Sequence, residues 1–421
     1  MLLRHTIVLL GTLFITPCIQ AQSLEQVLQA VKENNLSLKE AKATLQSETE
    51  ALAEVRASYL PTVSLQGTIR SSSRDSELQN GTLFDENTTP LSATVQLSQN
   101  LYAGGRRHLN AQRAITSLKA QKNAILDSEL SLSSEAVQLY HTLALTKQVL
   151  KVRLETANVL EQQLQAAIVR QSKGDGTYTD VAQTKARVAE AKAQIGQEQL
   201  RIKQLKAELS ALANIEIRGI QPLISTELPF HSLEEAIDLA IRNNPALKAA
   251  GLNVQSSRID TALAARENMP TVNLSGQATT FRESSPTIDR DDELSIGITF
   301  SLPLYNGGLT PSRTRRAASS HRAARFAQDQ LRQNIERQIS NIWNSRLTSI
   351  TLIEARKLRV QAADEALTGI QRGKDAGLFD NLDVLNAVEE KNNARISLLE
   401  AENEYQLASY LLLINTDTLI R

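Results

Sequence analysis

Side chains that commonly carry catalysis or hold metals are scarce and scattered in this chain. His108, His141, His231 and His321 each stand alone, with no cysteine or carboxylate at the spacing a metal site needs. Asp175 and Asp180 lack the ligand series of a calcium loop. Gly104-Gly105 precedes a helical stretch without the lysine and spacing of a phosphate loop. The residues therefore point to no enzyme, no cofactor and no resident metal. Arg313, Arg315, Arg316, Arg322 and Arg325 crowd one helical stretch. They read as a solvated face rather than a nucleic-acid site, because 46 basic residues balance 46 acidic ones. What remains is a spacing that occurs twice, Gly174 to Asp180 and Gly377 to Asp383. A glycine there ends one helix, and the acid opens the next, where the helix dipole stabilises it. The further chemistry open to such an acid is electrostatic. Several copies of Asp383 converging on a narrow axis would attract cations.

The elements that must position these turns are long. From Arg106 to Ser172 there is no Pro or Gly. At about 1.5 Å per residue such a helix spans roughly 100 Å, against a mean helix of about 11–12 residues. Leu118, Ile125, Leu132 and Leu139 recur every seven positions, and the phase then slips to Leu143, Leu150, Ala157 and Leu164. A stutter of this kind relaxes the supercoil of a long coiled coil. Aromatics make up only 4 % of the chain, and the abundance of Ala, Leu, Gln, Glu, Lys and Arg favours helix.

Residues 1–21 carry Arg4, an apolar run from Thr6 to about Thr16 and Ala21 at a plausible cleavage point, which reads as a secretory signal peptide. The only cysteine, Cys18, lies inside it. Thr16-Pro17 before Cys18 is a poor context for lipid attachment, and cleavage after Ala21 leaves an exported chain without thiol chemistry. No later stretch reaches about 18 apolar residues, so any membrane span must be built from strands.

The rest is a duplication. SLEQVLQAVKENNLSLKEA at 23–41 returns as SLEEAIDLAIRNNPALKAA at 232–250, and Pro61-Thr62-Val63 returns as Pro270-Thr271-Val272. LYAGG at 101–105 returns as LYNGG at 304–308, six residues closer in register, so the difference falls in a loop between two strands. The first repeat covers 22–213. It holds a helix over about 23–58, strands over about 62–70 and 91–101, a polar loop over about 71–90, the long helix 106–172, a turn 173–178 and a helix over about 179–213. Residues 214–231 form a linker with room for one short strand. The second repeat covers 232–421, with a helix 232–267, strands over about 271–280 and 294–302, a loop 281–292, a long helix over about 312–372, a turn 373–378 and a last helix over about 379–414. In each half the two shorter helices match the long one in length, as two layers of coiled coil would require.

Four strands of about 9–11 residues with one apolar face suit a tilted bilayer span. An open four-stranded sheet cannot sit in lipid, because every backbone group there must be paired. The sheet must then close between chains. Two copies give eight strands, a barrel filled by its own side chains, and three give twelve, with an open lumen. A hairpin packed on soluble helices is the alternative that the pattern alone allows.

The duplicated plan resembles the TolC-like outer-membrane efflux proteins. The likeness is carried by NN-x-x-L-K near the start of each half, Y-L-P-T-V or M-P-T-V entering the first strand, LY-x-GG leaving the second, and Asp180-Val181 with Asp383-Val384. It implies a mainly α fold with a membrane β-barrel, a homotrimer of twelve strands in outer-membrane lipid, and a helical tunnel through the periplasm. It also implies a periplasmic adaptor and an inner-membrane transporter of efflux or ABC type as partners. Tyr102, Gly104 and Gly105, and Tyr305, Gly307 and Gly308, would turn barrel into helix near the inner membrane interface, where aromatic anchors are sensible. Gly174, Gly176, Thr177, Gly377, Leu378 and Phe379 would form the tip that meets the adaptor. Asp180, Asp383 and Asn386 would belong to the gate. There Asn386 replaces a second aspartate, and Lys374 and Phe379 depart from the tyrosine and arginine of the family pattern. The expected function is passive conduction of drugs, toxic small molecules or metal ions. The alternatives are the duct of a type I protein secretion system and a periplasmic coiled-coil scaffold with no pore.

Overall fold

The computed structural model describes residues 21–77, 83–222, 226–285 and 288–418. The expected signal segment with Cys18, except Ala21, and residues 78–82 of the expected polar loop, with Asn80-Gly81, lie outside the described residues. The elements run α1 (Leu24–Asn34), α2 (Leu36–Ala57), β1 (Thr62–Ile69), β2 (Ser72–Glu77), β3 (Leu83–Thr88), β4 (Leu91–Ala103), α3 (Arg106–Ser172) and α4 (Tyr178–Ala213). The second half follows with α5 (Leu233–Asn243), α6 (Pro245–Ala265), β5 (Thr271–Ser285), β6 (Ile288–Ser301), α7 (Leu309–Asp375) and α8 (Asn381–Asn415).

Two single helices were expected where four occur. Ser23 opens α1 with a full capping box, its side chain accepting from Gln26 N–H while Gln26 reaches back. The helix then stops at Asn35, whose extended backbone turns the chain. Asn35 serves both new ends: its backbone N–H bonds to Val31 O of α1 at 3.1 Å and its Oδ1 accepts from Leu38 N–H of α2 at 3.2 Å, while Nδ2 donates across to Leu212 O of α4 at 2.8 Å. Asn244 does the same work ahead of α6, accepting from Leu247 N–H at 2.9 Å with Pro245 at the first helical position. The paired asparagines of each repeat are thus helix breaks with a built-in cap.

The loops expected at 71–90 and 281–292 are largely strand. Ser72–Glu77 pairs with Leu83–Thr88 as a separate ribbon, and β5 and β6 stay in register from Thr271/Ser301 to Arg282/Arg290. Ladder hydrogen bonds need no buried face, and charged neighbours such as Arg290 and Asp292, 2.6 Å apart, pair along the extension. The long helix α7 starts before Pro311, a first-turn position where the missing N–H has no intrahelical partner to lose. It also runs past Gly373, which narrows the turn from 373–378 to 376–380.

Contacts divide the chain into two compact units. One holds Lys39–Ser128 and Ile237–Gln338, and so the four-stranded sheet in the order β1-β4-β5-β6, all antiparallel. Here Arg113 of α3 pairs with Asp260 of α6 at 2.8 Å, and Arg313 of α7 with Glu267 at 2.9 Å. The other holds the chain up to Leu38, Glu129–Ala236 and the chain from Ile339. Its main core joins Val27, Val31, Val137, Tyr140, Leu143, Leu205 and Leu209, all fully buried or nearly so. A second cluster packs Leu160, Val188, Leu367, Val384 and Leu385 near the two helix turns. All eight heptad positions of α3 are buried or half-buried, as the repeat required. The linker contributes a parallel bridge between Gln22 and Ile220. The Tyr140 hydroxyl ties the long helix to it, within reach of Gln22 O at 3.0 Å and Gln221 O at 2.9 Å.

Candidate functional site: an uncovered sheet and two helix turns

The sheet register sorts its side chains cleanly. Val63, Leu65 and Ile69 of β1 lie opposite Leu97, Val95 and Leu91 of β4. The same row continues through Gly276 and Ala278 of β5 to Ile296 and Leu294 of β6. Within this unit nothing covers that row: Leu65 and Ile69 are 75 % exposed, Leu294 and Ile296 77 %. The opposite face carries Ser64, Gln66, Thr94, Gln96, Gln277 and Thr279, and Thr94 and Thr279 share a 3.1 Å hydrogen bond across it. One wall is thus apolar and wholly uncovered, the other polar. The edges, β1 and β6, each keep one unpaired row of backbone groups.

Sheet gives way to long helix through glycine pairs in the left-handed region, Gly104 (φ +62°) and Gly105 (+75°), then Gly307 (+64°) and Gly308 (+81°). A β-bulge between Asn100 and Tyr102 precedes the first. Tyr102 and Tyr305 are both exposed, Tyr305 almost fully. Tyr59, a neighbour not anticipated from sequence, stacks under the Arg107 guanidinium at 3.9 Å.

At the other turns, both long helices end in the same motif. Asp175 N–H bonds to Arg170 O at 3.0 Å and Gly174 N–H to Gln171 O at 3.1 Å; Leu378 N–H bonds to Gly373 O at 2.8 Å and Gly377 N–H to Lys374 O at 3.0 Å. These are paired six-to-one and five-to-two closures around a left-handed glycine. Thr177 then caps α4 and Asp380 caps α8, each in a capping box whose third residue is the aspartate singled out above. Asp180 Oδ2 accepts from Thr177 N–H at 3.1 Å and from its hydroxyl at 2.8 Å; Asp383 Oδ2 accepts from Asp380 N–H at 3.0 Å. Both carboxylates are therefore engaged locally.

The helices that follow are cross-linked by other residues. Asn381, buried, donates to Thr184 Oγ1 at 2.9 Å and accepts from Lys374 Nζ at 2.5 Å. Arg187 of α4 reaches α8 twice, to Glu389 at 2.6 Å and to Asn386 Oδ1 at 3.2 Å. Of the three predicted gate residues only Asn386 takes part in this bridge. Sequence reading missed Thr184, Arg187, Asn381 and Glu389, whose partners lie some two hundred positions apart and leave no local pattern. Exposed apolar side chains crown the turns: Tyr178 and Leu378 are 78 % and 77 % exposed, while Phe379 folds back over Gly373. Gly176 and Thr177 complete the first turn.

Among the described residues no group of three His, Asp or Glu could hold a metal ion. Nor is any helix long and apolar enough to cross a membrane. Residues 27–214 and 236–413 match the outer membrane efflux protein family. The outer membrane efflux protein BepC of Brucella suis is 25 % identical over 98 % of this chain and 89 % of its own length. The proteases secretion protein PrtF of Dickeya chrysanthemi is 27 % identical over 91 % and 85 %. Among solved structures, the outer-membrane channel OprN superposes with a TM-score of 0.80 at 19 % identity, covering 93 % of this chain and 89 % of OprN. CusC gives 0.81 at 16 % identity, covering 93 % and 91 %. These last two are likenesses of fold.

Proposed function

The chain belongs to the outer membrane efflux protein family, and on that premise we propose that three copies close one twelve-stranded barrel and conduct cargo passively to the exterior. The protein is an outer-membrane efflux channel and not an enzyme. The observation that carries the trimer is the sheet: an apolar wall with nothing over it, a polar wall behind it, and two open edges. Lipid satisfies the first wall, a water-filled lumen the second, and pairing of β6 with β1 of the next copy satisfies the edges. Exposed Tyr102 and Tyr305 would then anchor at the periplasmic interface of the bilayer.

In this reading the work of transport is done by an inner-membrane transporter of efflux or ABC type, joined through a periplasmic adaptor. Gly174, Gly176 and Thr177, with Gly377, Leu378 and Phe379, are the surface offered to that adaptor. Asp180, Asp383 and Asn386 stand at the gate. There the Arg187 bridge from α4 to α8 holds a closed packing that partner binding would shift toward an open one.

Drugs, other toxic small molecules or metal ions are the proposed cargo. The likeness to the proteases secretion protein PrtF supports a second reading, polypeptide export by a type I system. Growth of a null strain, with and without the restored gene, across detergents, dyes, antibiotics and metal ions separates the two. Rescued hypersensitivity supports small-molecule efflux and names its class. An unchanged panel with a polypeptide missing from the medium supports secretion instead.

A further inference from the structure

Every strand of the sheet continues into a helix: α2 leads into β1, β4 into α3, α6 into β5, and β6 into α7. The strand order therefore passes to the helices as α2-α3-α6-α7. The ion pair Arg113–Asp260 between α3 and α6, and the contact of Ser257 of α6 with His321 of α7, agree with it; Arg313 of α7 also pairs with Glu267, just past the end of α6. The two edge strands hand on to α2 and α7, and each of these helices keeps one face bare. Along α7, Thr310, Thr314, His321 and Gln328 are turned inward at helical spacing, with His321 Nδ1 3.0 Å from Ser257 Oγ of α6. The opposite face, Ser312, Arg315, Ser319, Arg322 and Phe326, is exposed, with Arg316 at its margin. Along α2, Leu38, Ala41, Leu45, Leu52 and Val55 turn inward, and the opposite face of Glu40, Ala43, Ser47, Glu50 and Glu54 is exposed, with Lys39 at its margin, so that face is acidic on balance.

The two bare faces carry opposite charge at matching depth. Counting about 1.5 Å per residue from the sheet-proximal end of each helix, Glu54 and Glu50 lie roughly 5 and 10 Å along α2, and Arg315 and Arg316 roughly 10 Å along α7. Ser47 and Ser319 fall together at about 15 Å, and Glu40 and Arg322 between roughly 20 and 26 Å. Among the described residues, Glu40, Glu50, Glu54, Arg315 and Arg316 make no ion pair within the protomer, and Arg322 only reaches Ser319 Oγ at 3.1 Å.

We propose that the arginine face of α7 docks on the glutamate face of α2 in the next copy of this chain, so that the seam between subunits is keyed by charge. The proposal rests on the trimeric reading above and adds which helices meet and what holds them. Each exposed pair contributes little, but several act at every seam, and three seams close the ring. The charges also select: α2 against α2, or α7 against α7, sets like charges together, so a two-fold dimer is disfavoured and the head-to-tail ring is preferred.

The test uses the full chain in outer-membrane vesicles, where Cys18 in the expected signal segment is the only native cysteine. Ser47→Cys with Ser319→Cys should give covalent dimers and trimers on mild oxidation, and neither single variant should. Separately, Arg315→Glu with Arg322→Glu should lower the trimer surviving at a fixed temperature by about tenfold. Glu50→Lys with Glu54→Lys in the same chain should restore it. A wild type that is trimeric, with no crosslink and no response to charge reversal, overturns the seam alone. That result would assign the arginines to another partner, such as anionic lipid headgroups. A protein that never forms a trimer overturns the channel reading and the seam with it.

Discussion

His141 sits in the middle of the long helix α3, fully buried, with neither ring nitrogen hydrogen-bonded and the ring edge against Tyr410 at 5.3 Å. Burial lowers its pKa to about 4. The sign of the pH effect follows. The unfolded ring takes up a proton near pH 6.5, while the folded ring takes one up only near pH 4. Stability therefore falls as pH drops from about 6.5 to about 4 and changes little below that, by on the order of 3 kcal/mol in all. His141→Leu should flatten this slope in thermal unfolding followed by the fluorescence of Trp343, the single tryptophan; an unchanged slope would rule the histidine out. At the tip, Arg187 and Glu389 are both substantially exposed, so Arg187→Ala should cost below about 1 kcal/mol of stability. It should nonetheless raise single-channel conductance, because it frees α8 from α4. Asp383→Ala tests the proposed aspartate ring: cation block of the conductance should weaken, and unchanged block would leave Asp383 as a capping residue only.

Elements were legible wherever one side chain pattern served one environment. The stretch free of Pro and Gly placed α3 at Arg106–Ser172, and its heptads from Leu118 to Leu164 were readable because each of those positions packs inward. The breaks at Asn35 and Asn244 were hidden, because Leu38 and Leu247 carry the apolar spacing straight through them. Only the reach of Asn35 to Leu212 O, far along the chain, makes the first one evident. The strand extensions beyond Arg70 and Thr280 were hidden for another reason, since Ser72–Glu77 and Leu83–Thr88 carry no alternation of apolar and polar residues to read. The glycine pairs could be read from sequence, and the structure now distinguishes them. Gly307 faces open space, so Gly307→Ala meets only the backbone cost of a left-handed residue, about 1 kcal/mol. At Gly104 an added Cβ would run into Met269. Gly104→Ala should therefore destabilise more than Gly307→Ala, read as the fall in melting temperature of each variant; equal falls would contradict the packing account.

For the whole molecule, the alternation of Val63, Leu65 and Ile69 with Thr62, Ser64 and Gln66 already contained the central argument. The proposed closure between chains is argued from lipid rather than from any contact within the protomer, since the residues around the apolar face show no partner for it. The tip bridges, by contrast, could not be read in advance. Arg187, Asn386 and Glu389 sit on ordinary polar helix faces until two distant helices are laid side by side. The most direct test of the duct is electrical. Protein extracted from the outer membrane and added to a planar lipid bilayer should insert as trimers and give discrete current steps, with larger steps for Arg187→Ala. Insertion with no current steps from either form would contradict a conducting channel.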